Sequence, residues 1–227
     1  MARRPDGPGN GPGQERPRER GTGWVAKRHQ GARTLGRAGC WHDDGVSRRE
    51  PEAISEGLVE LVESLDPNPA YVAGARWDVL HANRSAHVLF ADFDGRRGHE
   101  RNMLWYYLAD PAARSLYVDW EAEAIAQLGH FREDYEKWPG DPRFDDLLER
   151  IFAVTPAART WWEERRGVNL PRNGVKQIRL ADGRTVTLRQ LVMSTVDDPE
   201  IQVVCYFADL DDDGDLDGEF DVEDLLD

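Results

Sequence analysis

The sequence lacks the features that identify secreted and membrane-spanning proteins. Only two cysteines, Cys40 and Cys205, occur among 227 residues, and they form neither a CxxC motif nor a disulfide framework. No stretch approaches the roughly 20 apolar residues of a membrane span. The opening Met-Ala-Arg-Arg leads into Gly and Pro rather than into the apolar core of a signal peptide. These absences predict a soluble, untargeted protein of the reducing cytoplasm that does not associate with membranes.

Catalytic and metal-binding motifs are also absent. The sequence contains no GxSxG, HExxH, P-loop or dinucleotide-binding pattern. His81, His87 and His99 are not spaced as a pair of ligands on one turn of a helix. The sequence therefore predicts that the protein is not an enzyme, holds no metal ion and uses no cofactor.

Charge is distributed unevenly along a chain whose net charge is -14. Residues 1–50 are rich in Gly, Pro and Arg and hold 11 basic against 6 acidic residues, whereas residues 209–227 hold 11 acidic residues and no basic one. We expect a disordered basic head and a disordered acidic tail on either side of one domain, residues 51–208. Two interpretations of the arginine-rich head remain: it is a solvated segment, or its arginines bind nucleic acid weakly. The tail imitates a calcium loop from Asp209, but position 12 is Phe220, which favours a solvated tail.

The start of the domain shows clear local signals. Apolar residues at helical spacing predict a helix over residues 55–65, which Asp-Pro-Asn-Pro ends. Two short strands are predicted within residues 71–81, with Trp77 in the second. Asn83 or Ser85 then begins a helix that runs to Phe90.

Helices fill the middle of the domain and strands end it. A short turn or helix is predicted over residues 111–117, and helices over residues 118–138 and 144–154, with another from Thr155. An apolar and aromatic run, residues 101–108, precedes them. Strands are predicted over residues 175–180, 185–192 and 201–207, with Asp182-Gly183 in the first turn. This order predicts an α+β fold with an antiparallel sheet of about five strands.

Three segments of the chain resemble a known family. PNPAYVAGARWDVLHANRSAHVLF, ERNMLWYYLADPAARSLYVDWE and DDPEIQVVCYFA, in this order, resemble the MmyB-like ligand-binding domain that follows an Xre-type helix-turn-helix in actinobacterial transcription regulators. The resemblance implies a PAS-like fold in which helices and sheet enclose an apolar pocket. It also implies the sensing of a long-chain aliphatic acid or a similar small molecule, which tunes DNA binding.

The sequence departs from this family at two places. No helix-turn-helix pattern is visible in residues 1–50, so we expect contact with DNA only through a missing domain or a partner. The segment GVNLPRNGVKQ, residues 167–177, also differs from the family pattern and leaves the pocket rim undefined there. A homodimer is a further expectation.

The candidate ligand site centres on Arg101 and Asn102. A half-buried guanidinium can bind a carboxylate through two parallel hydrogen bonds, and an adjacent amide can add another. The remaining candidates line the hydrocarbon chain or wall the pocket: Met103, Trp105, Trp77 and Trp120. The alternative is that Arg101 pairs with a surface carboxylate and the aromatic residues belong to an ordinary core.

The sequence therefore favours a small-molecule sensor domain of a transcription regulator. Two alternatives remain. In the first, the same fold has lost its DNA reader and acts as an interaction protein. In the second, it is an enzyme that acts on a lipid-like substrate in the pocket.

Overall fold

The computed structural model describes residues 52–208, so the predictions made for the head and the tail lie outside the described residues. This part of the chain contains one five-stranded antiparallel sheet and seven α-helices. The helices are α1 (Glu56–Ser64), α2 (Arg84–Leu89), α3 (Met103–Ala109), α4 (Pro111–Leu116), α5 (Trp120–Tyr135), α6 (Pro142–Val154) and α7 (Pro156–Glu163). The strands are β1 (Ala70–Ala73), β2 (Val79–Ala82), β3 (Gly174–Arg179), β4 (Thr185–Ser194) and β5 (Gln202–Ala208).

The α+β fold with its antiparallel sheet confirms the expectation from the sequence. Two strands, a helical middle and three further strands follow each other as predicted. One local prediction was wrong, because Trp77 lies outside β2 in a turn with a φ angle of 66°. No helix within residues 52–208 combines the length and the apolar character that crossing a membrane requires.

The sheet joins the two ends of the domain. Its strand order is β2-β1-β5-β4-β3, so the last strand pairs with β1 on one side and with β4 on the other. Gln202 of β5 lies opposite Ala73 of β1 and Ser194 of β4. Residues from both ends of the chain therefore share the centre of the sheet.

The two faces of the sheet are covered differently. On one face, Val62 of α1 packs over Val72 and Val203 in a small apolar cluster. On the other, which we call the inner face, Tyr71, Leu188 and other strand residues pack in the large core with α2 to α7. Because side chains alternate along a strand, β1 and β5 contribute to both clusters.

Asn83 links the first helix, the sheet and α2. Its Oδ1 accepts hydrogen bonds from the backbone N–H groups of Ala70 and Ala86, both at 3.0 Å. Its Nδ2 donates to the carbonyls of Val62 and Asn68 at 3.2 and 2.9 Å. The side chain is fully buried, so this one amide serves four backbone groups from three parts of the chain. Asn83 thus provides the N-cap expected from the sequence and also fixes where α1 meets the sheet.

Replacement of Asn83 by Ala is expected to lower the free energy of unfolding by about 3 kcal/mol or more, because buried backbone groups lose their partners. The matched control is Ser55→Ala, which removes the exposed N-cap of α1 and is expected to cost only about 1 kcal/mol. Urea unfolding of both variants measures the difference. Equal losses would show that Asn83 acts only as a helix cap.

Candidate functional site

A small cavity, which we call the inner cavity, lies between the inner face of the sheet and α5. Its volume is about 20 Å³, which is room for about one water molecule. The lining residues come from β1, β4, β5, α3, α5 and two connecting segments: Tyr71, Ala73, Trp77, Met103, Gln127, His130, Arg172, Gln190, Val192, Gln202 and Val204. The cavity is therefore assembled from residues far apart in the sequence.

The cavity wall is apolar on one side and polar on the other. Val192 and Val204 of the sheet face it together with Met103 and other apolar residues, whereas the polar side includes Gln127 and Gln190. Within residues 52–208, the Gln190 side-chain oxygen is buried and has no hydrogen-bond partner. A buried acceptor of this kind can accept a hydrogen bond from a ligand or from an ordered water molecule. The wall thus has the composition of a site for a small molecule.

Trp77 occupies a strained position at the edge of this cavity. Its φ angle of 66° is unusual for a bulky side chain. The backbone is held there because Trp77 N–H donates to the Gly74 carbonyl at 2.8 Å and its carbonyl accepts from Met103 N–H at 2.9 Å. Strained backbone of this kind is often found at functional sites. The strain directs the indole toward α5, where its Nε1 donates to Asp134 at 2.9 Å.

Asp134 receives hydrogen bonds from four side chains, and we call this group the Asp134 cluster. Its Oδ2 accepts from Trp77 Nε1 and Arg172 Nη1 at 2.9 Å and from Gln202 Nε2 at 3.4 Å. Its Oδ1 accepts from Lys137 Nζ at 2.7 Å. The Asp134 side chain is only 5% exposed. Burial alone would raise the pKa of Asp134, but its hydrogen bonds to Arg172, Lys137 and Trp77 outweigh burial and lower it.

Two glycines place Arg172 against α5. A Cβ at Gly129 of α5 would lie 2.0 Å from the Gly167 carbonyl oxygen, so the segment after α7 runs in direct contact with the helix. Gly167 itself has a φ of 76°, which favours glycine. Further along this segment, Arg172 Nη2 donates to the His130 carbonyl at 2.9 Å and pairs with Glu133 at 3.4 Å. The close approach is what brings Arg172 to the cavity.

A second, larger space adjoins the Asp134 cluster on its outer side. This outer cleft measures about 340 Å³, and its walls include Asp134, Lys137 and Gln202. Gln202 also lines the inner cavity. The two spaces are therefore neighbours, and the Asp134 cluster lies between them.

The six predicted site residues fall into two groups. Trp77 and Met103 line the inner cavity, whereas Arg101, Asn102, Trp105 and Trp120 do not contribute to its wall. Arg101 instead donates from Nε to the Val79 carbonyl at 2.7 Å and from Nη2 to the Leu80 carbonyl at 3.2 Å. It also pairs with Asp94 at 3.2 Å. Its guanidinium thus supports β2, and contact with a ligand stays a prediction.

Asn102 caps α3 and holds the turn that carries Trp77. Its Oδ1 accepts from Trp105 N–H at 3.1 Å. Its Nδ2 donates to the Arg76 carbonyl at 2.7 Å and to Asp78 Oδ1 at 3.0 Å. The residue is fully buried. Asn102 therefore holds the turn that carries Trp77, a residue of the cavity wall, without lining the cavity itself.

The two remaining tryptophans pack away from the cavity. Trp105 meets the ring of His99 with centroids 4.4 Å apart. Trp120 donates from Nε1 to the Tyr107 carbonyl at 2.7 Å, and the guanidinium of Arg114 lies 3.8 Å from the centroid of its ring. Both side chains stabilise the junctions between helices.

Sequence reasoning missed most of the polar residues at the cavity: Gln127, His130, Asp134, Arg172, Gln190 and Gln202. Two signals were available. Gln190 and Gln202 each precede an apolar run in the last two predicted strands, and Arg172 falls in the segment that departs from the family pattern. Across the part of the chain that the structure describes, no three His, Cys, Asp or Glu residues gather as ligands for a metal ion.

His130 makes the stability of the domain dependent on pH. Burial lowers its pKa, against the raising effect of the hydrogen bond between its Nε2 and the Leu170 carbonyl at 3.0 Å. In the unfolded chain, His130 binds a proton as the pH falls below about 6.5, the ordinary pKa of histidine. In the folded domain, the lowered pKa keeps His130 neutral over part of this range. The free energy of unfolding should therefore fall between pH 7 and pH 5.

Replacement of His130 by Gln, which keeps an N–H donor for Leu170, is expected to make this fall smaller. Urea unfolding at pH 7, 6 and 5 measures it. His81→Gln is the matched control, because it makes the same change at a partly exposed histidine paired with Glu63 at 2.8 Å. An unchanged pH dependence in the His130 variant would contradict the assignment.

A search of curated proteins finds no match for the chain. Residues 54–215, most of the chain, match the family model described as the MmyB-like transcription regulator ligand binding domain. This range contains α1, the whole sheet and all the residues that line the cavity. The chain therefore belongs to the family of MmyB-like transcription regulator ligand-binding domains.

Proposed function

We propose that residues 52–208 form the sensor of a transcription regulator and bind a small aliphatic carboxylic acid in the cavity between the sheet and α5. The observation that carries this proposal is a cavity with an apolar wall and an arginine at one edge. Membership of the ligand-binding family supports the sensing role. The acid head and the hydrocarbon chain of the ligand then contact different walls.

Arg172 is the better placed of the two candidate arginines for the acid head. It lines the cavity, and a guanidinium can form two parallel hydrogen bonds with a carboxylate. Arg101 already donates to two backbone carbonyls of β2 and pairs with Asp94. Using Arg101 for a ligand would therefore take donors away from the sheet.

Binding of an aliphatic chain requires the cavity to open. Ligand pockets commonly enclose about 300–1,000 Å³, whereas the inner cavity holds about 20 Å³. Met103 has a flexible side chain that can adopt other rotamers, and the outer cleft of about 340 Å³ lies next to the cavity. The ligand thus selects an opened arrangement, and this selection provides the signal.

The signal reaches DNA through a domain or a partner outside residues 52–208. The family supports this assignment, because its description names a transcription regulator. The regulator acts in the cytoplasm, and a homodimer would let two sensors control one palindromic DNA site.

Replacement of Arg172 by Gln is expected to weaken the binding of decanoate about tenfold or more, because a charge-assisted hydrogen bond pair is lost. Decanol has the same chain without the carboxylate, so its binding should change little. Isothermal titration of both compounds measures these affinities. Native mass spectrometry of protein purified from bacterial cells would show independently whether an aliphatic acid is retained.

Replacement of Arg101 by Ala provides the comparison. We expect it to keep decanoate binding but to lower the free energy of unfolding by about 1–3 kcal/mol, because two carbonyls lose a donor. The reverse result, loss of decanoate binding in the Arg101 variant alone, would show that Arg101 binds the acid head of the ligand. Turnover of the bound compound would instead identify an enzyme.

A further inference from the structure

We propose that Asp134 is an internal substitute for the carboxylate of the ligand, which must displace it to bind Arg172. This inference rests on the proposed function, because it concerns the same cavity and the same ligand class. It adds a competitor within the chain and therefore a means of regulation. Four features of the Asp134 cluster support it.

The first feature is the origin of the donors to Asp134. Three of its four partners, Trp77, Arg172 and Gln202, are cavity-lining residues. All three donate to the same oxygen, Oδ2, at 2.9, 2.9 and 3.4 Å. Convergent N–H donors of this kind are what a site for a carboxylate requires. Asp134 occupies that site from the helix side.

The second feature is the charge balance around Arg172. Its guanidinium is already paired with Asp134 at 2.9 Å and with Glu133 at 3.4 Å. A third carboxylate added beside these two would be repelled by like charge in a poorly hydrated space. The ligand carboxylate can bind closely only if one of the two moves away. Asp134 is the one whose oxygen accepts from three cavity-lining side chains.

The third feature is an alternative partner for the displaced carboxylate. Lys137 donates to Asp134 Oδ1 at 2.7 Å, and its side chain is 65% exposed. Lys137 lines the outer cleft of about 340 Å³. The Asp134 side chain can rotate into that cleft and keep its ion pair with Lys137. Displacement therefore does not leave a buried unpaired charge, which would be costly.

The fourth feature is the position of Asp134 between the two spaces. Asp134 and Gln202 both line the outer cleft, and Gln202 also lines the inner cavity. Movement of Asp134 breaks its contact with Gln202 and connects the cleft with the cavity. The same movement releases the C-terminal turn of α5 from Arg172 and β5. Ligand binding is thus coupled to the position of one helix end.

Replacement of Asp134 by Asn removes the competing charge at nearly constant shape. We expect decanoate to bind about tenfold more tightly, within the range typical of coupled sites, and decanol to bind as before. Glu133→Gln is the matched control, because it removes the other carboxylate beside Arg172 from a position that lines neither the cavity nor the outer cleft. Isothermal titration of the full chain measures all the affinities.

The outcomes separate this inference from the proposed function. Equal tightening in the Asp134 and Glu133 variants would overturn the inference and indicate a general charge effect. Unchanged or weaker decanoate binding in the Asp134 variant, with normal binding in the wild type, would also overturn it and leave the sensing role intact. Failure of decanoate to bind both wild type and the variants would overturn the proposed function itself.

A measurement on the unaltered protein guards against misfolding of the variant. The Trp77 indole N–H loses its bond to Asp134 when the ligand enters, so its NMR resonance should shift on addition of decanoate. The Trp120 indole N–H donates to the Tyr107 carbonyl away from the cavity and should stay in place. An unmoved Trp77 signal at saturating decanoate would contradict the displacement.

Discussion

The backbone pairing of β5 is the constraint on which the cavity depends. This strand forms hydrogen bonds with β1 over four residue pairs and with β4 over seven, so it joins the first and the last part of the domain. Tyr71, Gln190 and Gln202 reach one cavity only because their strands are neighbours. Pairing between β1 and β5, which are distant in sequence, costs loop-closure entropy before it stabilises the sheet. A complete cavity therefore exists only in the fully folded domain.

The sequence allowed the local elements to be predicted, because local chemistry determines them. Asn83 caps α2 as expected, α1 begins next to Ser55 where the helix was predicted, and Asp182-Gly183 lies in the turn between β3 and β4. The site was harder, because Asp134 and Arg172 are 38 positions apart and meet through the contact between Gly129 and Gly167. Neither hydropathy nor spacing records such an approach. The left-handed turn at Trp77 could not be predicted from the sequence for a similar reason, because contacts with Gly74 and Met103 impose it.

Arg101 and Asn102 were predicted as ligand contacts from their residue types. In the structure, both side chains stabilise the backbone around the cavity. Asn102 bonds the turn on both sides of Trp77, while Arg101 bonds the carbonyls of β2. A cation and an amide next to an aromatic run have the same appearance in sequence whether they bind a ligand or the backbone. Only the accepting atoms distinguish the two cases, and here they are main-chain carbonyls and carboxylates of the domain itself.

Two carboxylates of α5, Glu123 and Asp134, illustrate why Asp134 is suited to switching. The pair between Lys176 and Glu123 measures 2.5 Å, and its side chains are 9% and 14% exposed. Separating that pair would leave charge inside the core, at a cost of about 3–5 kcal/mol. Asp134 differs because its oxygens are divided between donors at the cavity and Lys137 at the outer cleft. One set of donors can therefore be exchanged while the carboxylate stays paired, which makes movement at Asp134 less costly than movement at Glu123.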